Sequence, residues 1–351
     1  MAVNLMQSMT QDPAYDGERA NVIELSNSSG MKVTFMDIGA TWLSCRLPIN
    51  DKEHEVILGV SNMADFESHT TYLGATVGRF ANRIAGGRFT IGEESYQVLI
   101  NQGDNVLHGG PEGFNKRRWS IDKLSDASVC FSLLSPDNDQ GFPGNLAVTV
   151  TYTLTESNEL TIRYTAKTDK ATPVNLTNHA YFNLEDAEQG SDCRNHKLAI
   201  AADFYLPIDA QGIPLGRFVS VEETSFDFRN QKAVSRDFLS DEQQRAAKGY
   251  DHCYIFTPVR DLKEPVAVLT NSDCSIKMSV YTDKPAMQFY TGNWNGGTPR
   301  RLVGEYCDYS AIALETQLLP DAPNHPEWPT PCSILQPSDC YQYQTSYKFE
   351  F

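Results

Sequence analysis

Apolar and polar residues alternate along much of this chain, and a period of two is the spacing of a β-strand that buries one face. The segment LAVTVTYTLTESNELTIRYTAKT alternates on both sides of a polar turn at residues 156–159 and predicts an antiparallel hairpin. GRFTIGEESYQVLIN predicts a second hairpin, which turns at Gly92 and Glu93. Further short strands are predicted for the segments SVCFSLL, PVAVLT, SIKMSVYT and YQYQTSYKFEF.

Helical periodicity is rare in the sequence. The best candidate helix is SRDFLSDEQQRAAKG, in which Ser235 is a suitable N-cap and Gly249 lies just past the end. Gly- and Pro-rich loops separate the elements, and the sequence shows no linker, internal repeat or low-complexity segment. Many short strands with few helices predict a mostly β protein, built as a large antiparallel sandwich or barrel. We expect residues 1–351 to form one domain.

The charge balance narrows the range of partners. The 351 residues carry a formal net charge of −16, and the pI is near 4.8, whereas nucleic acids and anionic membranes bind basic surfaces. The N-terminus has no basic start followed by an apolar core, so we expect no secretory signal. No apolar run approaches the roughly 20 residues that span a bilayer. These features predict a cytoplasmic protein with neither a nucleic-acid nor a membrane partner.

The cysteines give no sign of a disulfide framework or of a zinc site, since both need characteristic spacings. They are scattered and form no CxxC pair. We expect reduced, mostly buried thiols at Cys45, Cys130, Cys193, Cys253, Cys274, Cys307, Cys332 and Cys340.

The segment VNLTNHAYFNL has an unusual set of polar residues. Interpreted as a strand, it has one face that is apolar except for Asn178, and a second face made of Asn175, Thr177, His179, Tyr181 and Asn183. A solvent-facing surface is the ordinary alternative, but such surfaces are usually rich in Lys, Glu and Arg. Short hydrogen-bonding side chains and a flat ring fit a groove that holds a polar, uncharged ligand.

Three further polar residues stand beside glycines. In GRFANRIAGGRF, Asn82 and Arg83 precede a Gly-rich turn, and a structural ion pair is the alternative for Arg83. In NVLHGG, His108 lies where the backbone can approach a ligand closely, and a simple turn position is the alternative. These residues are candidates for ligand binding.

Two carboxylates stand next to apolar runs. Asp251 in KGYDHCYIF precedes a strand-like run, where Asp commonly bonds its own backbone. Glu315 in SAIALETQLLPD lies either on the wet face of a helix or, in a strand, on a partly apolar face with Ala311, Ala313 and Gln317. The second arrangement would raise the pKa of Glu315 towards the range of a general base.

Familiar cofactor motifs are absent from the sequence. It contains no GxGxxG after a strand, no GxxxxGK[ST], no HExxH and no GxSxG. The seven histidines are dispersed. We therefore predict no cofactor and no metal, although a metal site built from distant residues stays open.

Taken in order, these segments resemble one family. The aldose 1-epimerases, or galactose mutarotases, have motifs similar to GRFANRIAGGRF, LHGGPEGFNKRRW, DQGFPGNL, NLTNHAYFNL, GYDHCYIF, QFYTGN and LETQLLPDAPNHPEWP. The resemblance runs from about Gly39 to the C-terminal strand. It implies a large, mostly antiparallel β-sandwich with a sugar site in an open cleft, and it implies that AIALETQLL is a strand despite its helical propensity.

The resemblance also implies roles for single residues. The general acid would be His179, in the motif NHxYFNL, and the general base would be Glu315, in the motif LE[TS]Q. Sugar hydroxyls would bind to Asn82, Arg83, His108, Tyr181, Asp251 and Gln288. None of these positions departs from the family pattern.

The implied activity is interconversion of the α and β anomers of free aldohexoses such as galactose and glucose. The base takes the proton of the C1 hydroxyl while the acid protonates the ring oxygen, so that the ring opens and recloses on the other face. The implied partner is a small-molecule sugar, bound by a monomer or homodimer. We expect His179 to need a neighbouring carboxylate, Asp251 or Glu315, to stay protonated.

Three other functions stay open at this point. A phosphosugar epimerase of related fold would need several basic groups, and the triplet Lys116, Arg117 and Arg118 is the one cluster that could supply them. A non-catalytic sugar-binding or regulatory protein would not need both His179 and Glu315. A glycosidase normally uses two carboxylates, whereas the acid candidate here is a histidine.

Overall fold

The computed structural model describes residues 4–351, and two large antiparallel sheets dominate it. In chain order the strands are β1 (Val22–Ser26), β2 (Lys32–Met36), β3 (Thr41–Ile49), β4 (Lys52–Glu55), β5 (Thr76–Val77), β6 (Arg83–Ile84), β7 (Arg88–Ile91), β8 (Glu94–Gln97), β9 (Val106–Leu107), β10 (Ser120–Ser125), β11 (Ser128–Ser135), β12 (Leu146–Leu154), β13 (Glu159–Thr168), β14 (Thr172–Pro173), β15 (Thr177–Asn178), β16 (Tyr181–Phe182), β17 (Lys197–Ile200), β18 (Ala202–Leu206), β19 (Val219–Ser220), β20 (Lys232–Ala233), β21 (Asp251–Phe256), β22 (Ala267–Thr270), β23 (Lys277–Thr282), β24 (Ala286–Tyr290), β25 (Ile312–Gln317), β26 (Ile334–Leu335) and β27 (Tyr341–Glu350). The helices are α1 (Leu5–Ser8), α2 (Met63–Ser68) and α3 (Glu242–Ala246), and 3-10 turns occur at Ala85–Gly87, Phe114–Lys116, Cys193–Asn195, Val234–Asp237 and Ala322–Asn324. No helix within residues 4–351 is long and apolar enough to cross a membrane.

The two large sheets pack face to face. One has the strand order β10-β11-β12-β13-β27-β23-β22-β17-β20, and the other has the order β16-β25-β24-β21-β18-β19. Apolar side chains of both sheets meet in one buried cluster, which includes Tyr347 from the first and Leu314 from the second. The predicted mostly β, antiparallel sandwich is confirmed. One domain over residues 1–351 stays a prediction, and a cluster that extends from Ile23 to Phe349 supports it.

Both predicted hairpins are present, as β12–β13 and β7–β8, and the second turns at Gly92 and Glu93. The segment of Glu315 is a strand, β25, despite its Ala- and Leu-rich composition. It pairs with β16 on one side and β24 on the other, and it buries Ile312 and Leu314 in the core. These backbone pairs and the buried apolar face outweigh the local helix propensity.

The predicted helix over residues 235–249 is wrong in its extent. Only Glu242–Ala246 is α-helical, and Asp241 rather than Ser235 caps its N-terminus. Leu239 has a φ of +57° and interrupts the segment. A residue in the left-handed conformation cannot continue a right-handed helix, so the periodic pattern is cut short.

The segment VNLTNHAYFNL is not one strand with a wet face. It contains only the short strands β15 and β16, and all of its residues are buried. The side chains of Asn175, Thr177 and Asn183 donate to backbone carbonyls of neighbouring segments. The interpretation of this face as a sugar-binding surface is therefore wrong for these three residues. His179 and Tyr181 do reach the cavity described below.

The cysteines are free thiols, but the expectation that most are buried is wrong. The buried ones are Cys45, Cys193 and Cys253, and Cys130 is partly buried. The four remaining cysteines are exposed, and each lies in a loop, where side chains contact water: Cys274, Cys307, Cys332 and Cys340.

A buried lysine connects the two segments that carry the predicted acid and base. Lys284 Nζ donates to the carbonyl oxygens of Leu176, just before β15, and of Thr316 in β25. The ammonium also lies over the ring of Tyr164, 4.2 Å from the centroid. Burial lowers the pKa of Lys284 from 10.5 to about 7.

We expect Lys284→Met to change how stability depends on pH. Between about pH 7 and 10.5 the unfolded chain holds a proton that folded Lys284 has released, so this residue makes stability rise with pH. Below that interval both states are protonated, and the contribution is constant. The free energy of unfolding of the parent protein minus that of Lys284→Met should therefore increase from pH 7 to pH 10 in urea denaturation. A constant or falling difference contradicts the lowered pKa, and Lys52→Met, at an exposed lysine, is the control.

Candidate active site

An open cavity of about 260 Å³ lies against the six-stranded sheet. All of the residues predicted to bind or catalyse line it except Gln288, which is buried beside it. The lining residues are Thr70, Thr71, Tyr72, Asn82, Arg83, Gln102, Leu107, His108, His179, Tyr181, Asp251, Tyr290, Trp294 and Glu315. The fold thus brings together the separate segments that the sequence singled out.

The sheet fixes the lateral order of the reactive groups. Tyr181 comes from β16, Glu315 from β25 and Asp251 from β21, while β24 lies between the last two strands. Gln288 of β24 is the register partner of Glu315. Because successive side chains alternate, Leu314 enters the core while Glu315 points into the cavity.

Three loop residues of the cavity have left-handed backbones: φ is +59° at Tyr72, +66° at Asn82 and +54° at His108. Such conformations cost roughly 1–3 kcal/mol each and cluster at functional sites. The backbone N–H of Asn82 donates to His108 Nδ1 at 3.2 Å, and the His108 N–H donates to the Asn82 carbonyl at 3.1 Å. Gly109 next to it has a φ of +88°, and a Cβ there would lie 2.1 Å from the carbonyl oxygen of Gly78. His108 is therefore both a turn residue and a cavity residue.

His179 and Glu315 form a buried pair. His179 Nε2 lies 3.4 Å from Glu315 Oε1, and the side chains are 5% and 3% exposed. Burial lowers the pKa of His179 from 6.5 to about 4. Burial, reinforced by the negative charge of Asp251, raises the pKa of Glu315 from 4.5 to about 8, in the direction that the sequence predicted. Burial therefore opposes the protonated imidazole that we expected, and the carboxyl group that faces the imidazole is Glu315.

Both members of this pair keep a buried polar atom that has no hydrogen-bond partner within residues 4–351. These atoms are Nδ1 of His179 and Oε2 of Glu315, and Oε1 of Gln288 is in the same condition. Buried polar atoms are otherwise almost always bonded in folded proteins. His179 and Glu315 both line the cavity, so these two unpartnered atoms lie at the site itself.

Arg83 and Asp251 add a charged pair to the cavity. Arg83 Nη2 lies 3.8 Å from Asp251 Oδ2, and Arg83 Nε donates to Gln102 Oε1 at 2.8 Å. Gln288 Nε2 donates to Asp251 Oδ1 at 2.6 Å. The structural ion pair considered for Arg83 is thus present, and Asp251 does begin a strand. Both residues nevertheless line the cavity, so these structural roles are compatible with ligand contacts.

Aromatic rings form much of the cavity wall, and the sequence predictions missed most of them. Tyr72 stacks on His179 with ring centroids 5.9 Å apart and meets His108 edge-on at 4.6 Å. Tyr290 lines the wall, and Trp294, which is 64% exposed, lines it near solvent. The motif QFYTGN contains Tyr290 and ends just before Trp294, so a signal existed for these two. The loop around Tyr72 has no comparable pattern.

A metal ion is one possible occupant by distance alone, because His108, His179 and Glu315 place ligand atoms within 4.8 Å of one another. The ring of His108 does not suit that role. Its Nδ1 already accepts the Asn82 N–H, so the neutral ring carries its proton on Nε2 and has no free lone pair. Burial keeps the pKa of His108 well below 6.5, so the ring is neutral at physiological pH. The two ligands that remain are fewer than the three that a catalytic zinc site uses.

Comparison with known proteins gives one consistent result. A sequence model of the family described as Aldose 1-epimerase matches residues 21–348. The chain is 49% identical over 345 residues to the aldose 1-epimerase of Escherichia coli strain K12, across 98% of this chain and 99% of that protein. It is 42% identical over 300 residues to the galactose mutarotase of Rattus norvegicus, across 85% and 84% of the two chains. The solved structure of an aldose epimerase homologue from C. elegans superposes with a TM-score of 0.85 at 29% identity, across 94% and 99% of the two chains.

We expect Asp251→Asn to lower the pKa of Glu315. The negative charge of Asp251 raises that pKa, and its removal leaves the lowering effect of Arg83 unopposed. The carboxyl stretching band of protonated Glu315, isolated as the infrared difference from Glu315→Gln, should disappear at a lower pH in Asp251→Asn than in the parent protein. Asp104→Asn, at an exposed carboxylate, is the control. A band that persists to the same or a higher pH contradicts the coupling of the two carboxyl groups.

Proposed function

The chain belongs to the aldose 1-epimerase family, and from that premise we propose that it interconverts the α and β anomers of free aldohexoses such as galactose and glucose. It is an isomerase that acts on carbohydrates. In this proposal Glu315 is the general base and His179 is the general acid, and the sugar hydroxyls bind to Asn82, Arg83, His108, Tyr181 and Asp251, with Gln288 supporting Asp251. The observation that carries the proposal is the buried pair, 3.4 Å apart, in a cavity lined mainly by uncharged hydrogen-bonding groups.

Ring opening moves two protons in opposite directions. The carboxylate of Glu315 takes the proton of the C1 hydroxyl while the imidazolium of His179 gives a proton to the ring oxygen, and the bond between C1 and the ring oxygen breaks. Rotation about the C1–C2 bond presents the other face of the aldehyde, and closure reverses both transfers. Each positioned acid or base contributes about 10²–10⁴-fold to such a reaction.

The shifted pKa values favour one end of this cycle. Opening protonates Glu315 and deprotonates His179, so the ion pair precedes opening and the neutral pair follows it. Burial favours the neutral pair, so it favours the proton transfers that open the ring and disfavours the ion pair that precedes them. Attraction between opposite charges 3.4 Å apart supports the ion pair that begins the cycle.

The charges around the cavity favour a neutral sugar over a phosphosugar. Arg83 is the one Lys or Arg residue among the lining residues, and Asp251 faces its guanidinium. The basic triplet that left a phosphosugar epimerase open as an alternative does not line the cavity and is paired with acidic residues. Lys116, Arg117 and Arg118 form ion pairs with Glu112, Asp139, Asp16 and Asp37.

The remaining parts of the proposal concern location and assembly. We infer a cytoplasmic protein that acts as a monomer or homodimer on a small-molecule sugar. The formal net charge of −16 supports the exclusion of nucleic-acid and anionic-membrane partners.

We expect Glu315→Gln to reduce kcat by about 10²-fold or more while KM changes little, because the amide keeps the shape of the side chain but cannot take a proton. His179→Asn should behave alike, and the double variant should be little worse than the poorer single one, since neither group works without the other. Polarimetry of freshly dissolved α-galactose and α-glucose, corrected for the spontaneous reaction, measures this. Glu93→Gln, in the exposed turn of the β7–β8 hairpin, is the control. Near-normal turnover by a folded Glu315→Gln would remove Glu315 from the role of base.

We expect kcat/KM to be nearly constant between about pH 5 and 7 and to fall on both sides of this range. Below about pH 4 the pair binds a second proton and no base remains, and above about pH 8 it loses its last proton and no acid remains. The acid limb thus follows the lowered pKa of His179 and the alkaline limb the raised pKa of Glu315, the reverse of the order of their ordinary pKa values. Polarimetry at constant ionic strength tests this. If kcat/KM instead begins to fall near pH 6.5 as the pH rises, His179 titrates as a solvent-exposed imidazole.

A further inference from the structure

Two phenol rings stack on the imidazole of His179. The ring of Tyr181 lies 4.7 Å from it between centroids, with 27° between the planes, and the ring of Tyr72 lies 5.9 Å from it, with 17° between the planes. Tyr181 belongs to the same short segment as His179, whereas Tyr72 comes from a distant loop. Tyr72 has no part in the function described so far.

Backbone hydrogen bonds join the loop of Tyr72 to His179 itself. The Gly74 N–H donates to the His179 carbonyl at 2.9 Å, and the His179 N–H donates to the Ala75 carbonyl at 2.9 Å. The Ala75 N–H donates in turn to the Tyr72 carbonyl at 3.0 Å. These bonds fix the position of the Tyr72 backbone relative to the imidazole.

The backbone of Tyr72 is strained. A φ of +59° is an outlier for a residue as bulky as Tyr. Such strain persists where the surrounding structure imposes it, and it is concentrated at functional sites. The hydrogen bonds to the segment of His179 are part of the structure that imposes this conformation on Tyr72.

We propose that Tyr72 is a positioning residue for the acid, whose ring face holds the imidazole of His179 and stabilises its protonated form during the reaction. This inference rests on the proposed function. Aromatic faces carry partial negative charge and attract a cation within about 6 Å of the ring centroid, most strongly where water is excluded. The ring of Tyr72 thereby offsets part of the penalty that burial places on the imidazolium.

Tyr181 presents a second ring face to the imidazole, but it is also a proposed sugar contact. The charged and titratable groups around the imidazole are Glu315, His108, Arg83, Asp251 and Tyr181. Glu315 is the proposed base, and the other four groups are proposed to bind the sugar. The ring of His108 is nearly perpendicular to the imidazole of His179. Tyr72 is thus the ring whose removal changes the environment of the acid without removing a proposed sugar contact.

The test compares Tyr72→Leu with Tyr72→Phe in the full-length protein. Imidazole ¹⁵N NMR at pH 4.5 gives the protonated fraction of His179, and polarimetry with galactose gives kcat and KM. Tyr72→Leu removes the ring face and should lower the ratio of protonated to neutral His179 by about 2- to 30-fold. It should lower kcat by a similar factor and change KM by less than about twofold. Tyr72→Phe keeps the ring face and should lose much less of both.

Tyr96→Leu is the matched control, because Tyr96 stacks on Phe89, 5.5 Å away, outside the site. If Tyr72→Leu does not fold, as judged by circular dichroism, Tyr72→Asn replaces it, since Asn adopts left-handed backbones readily. An unchanged or larger protonated fraction overturns the proposal, because the ring would then only exclude water. A higher KM at unchanged kcat also overturns it, since Tyr72 would then be a sugar contact. If the parent protein does not accelerate mutarotation, the proposed function fails, while the NMR comparison still decides the role of Tyr72.

Discussion

The burial of Glu315 beside His179 is the constraint on which the rest of the site depends. In water the two groups would hold one proton between them only from about pH 4.5 to 6.5, the interval between their ordinary pKa values. Burial widens this interval in both directions, because it disfavours the charged form of each group. A pair that holds one proton can donate and accept in the same step, and ring opening of a sugar requires that combination. Water in the cavity would narrow this pH interval again. The side chains that surround the pair are therefore as important as the two groups themselves.

Such a pair is useful only at a fixed separation, and the fold fixes it through the backbone. β25 pairs with β24 at Glu315 itself and with β16 at Ile312 and Ala313, which leaves the backbone of Glu315 little freedom. The backbone of His179 is bonded in both directions to the loop at residues 74–75. Lys284 connects the segments of His179 and Glu315, at the cost of a buried ammonium. The strained loop of Tyr72 is thus tied to the segment of His179, and side chains held in fixed positions are what precise catalysis needs.

The sequence predicted what depends on local periodicity or on an extended motif. The hairpins follow from alternation and turn residues, and the resemblance placed Glu315 on a strand against its propensity. The helix prediction over residues 235–249 failed because the periodic pattern contains no sign of the left-handed turn at Leu239. The polar residues Asn175, Thr177 and Asn183 looked like ligand contacts because their backbone partners lie far away in sequence. Polar residues that bond distant carbonyls and polar residues that bind a ligand have the same appearance in a sequence.

The same limit explains why the sequence did not predict a role for Tyr72 beside His179. A motif records the groups that exchange protons or bind hydroxyls, but the charge of His179 depends on its surroundings. Those surroundings combine burial, which disfavours the imidazolium, with Glu315 and two ring faces, which favour it. Because each step of the proposed reaction leaves one proton on the pair, the net charge of the cavity stays constant throughout. The balance between the ion pair and the neutral pair is therefore set by the groups around the imidazole, and in the inference above the ring of Tyr72 is one of them.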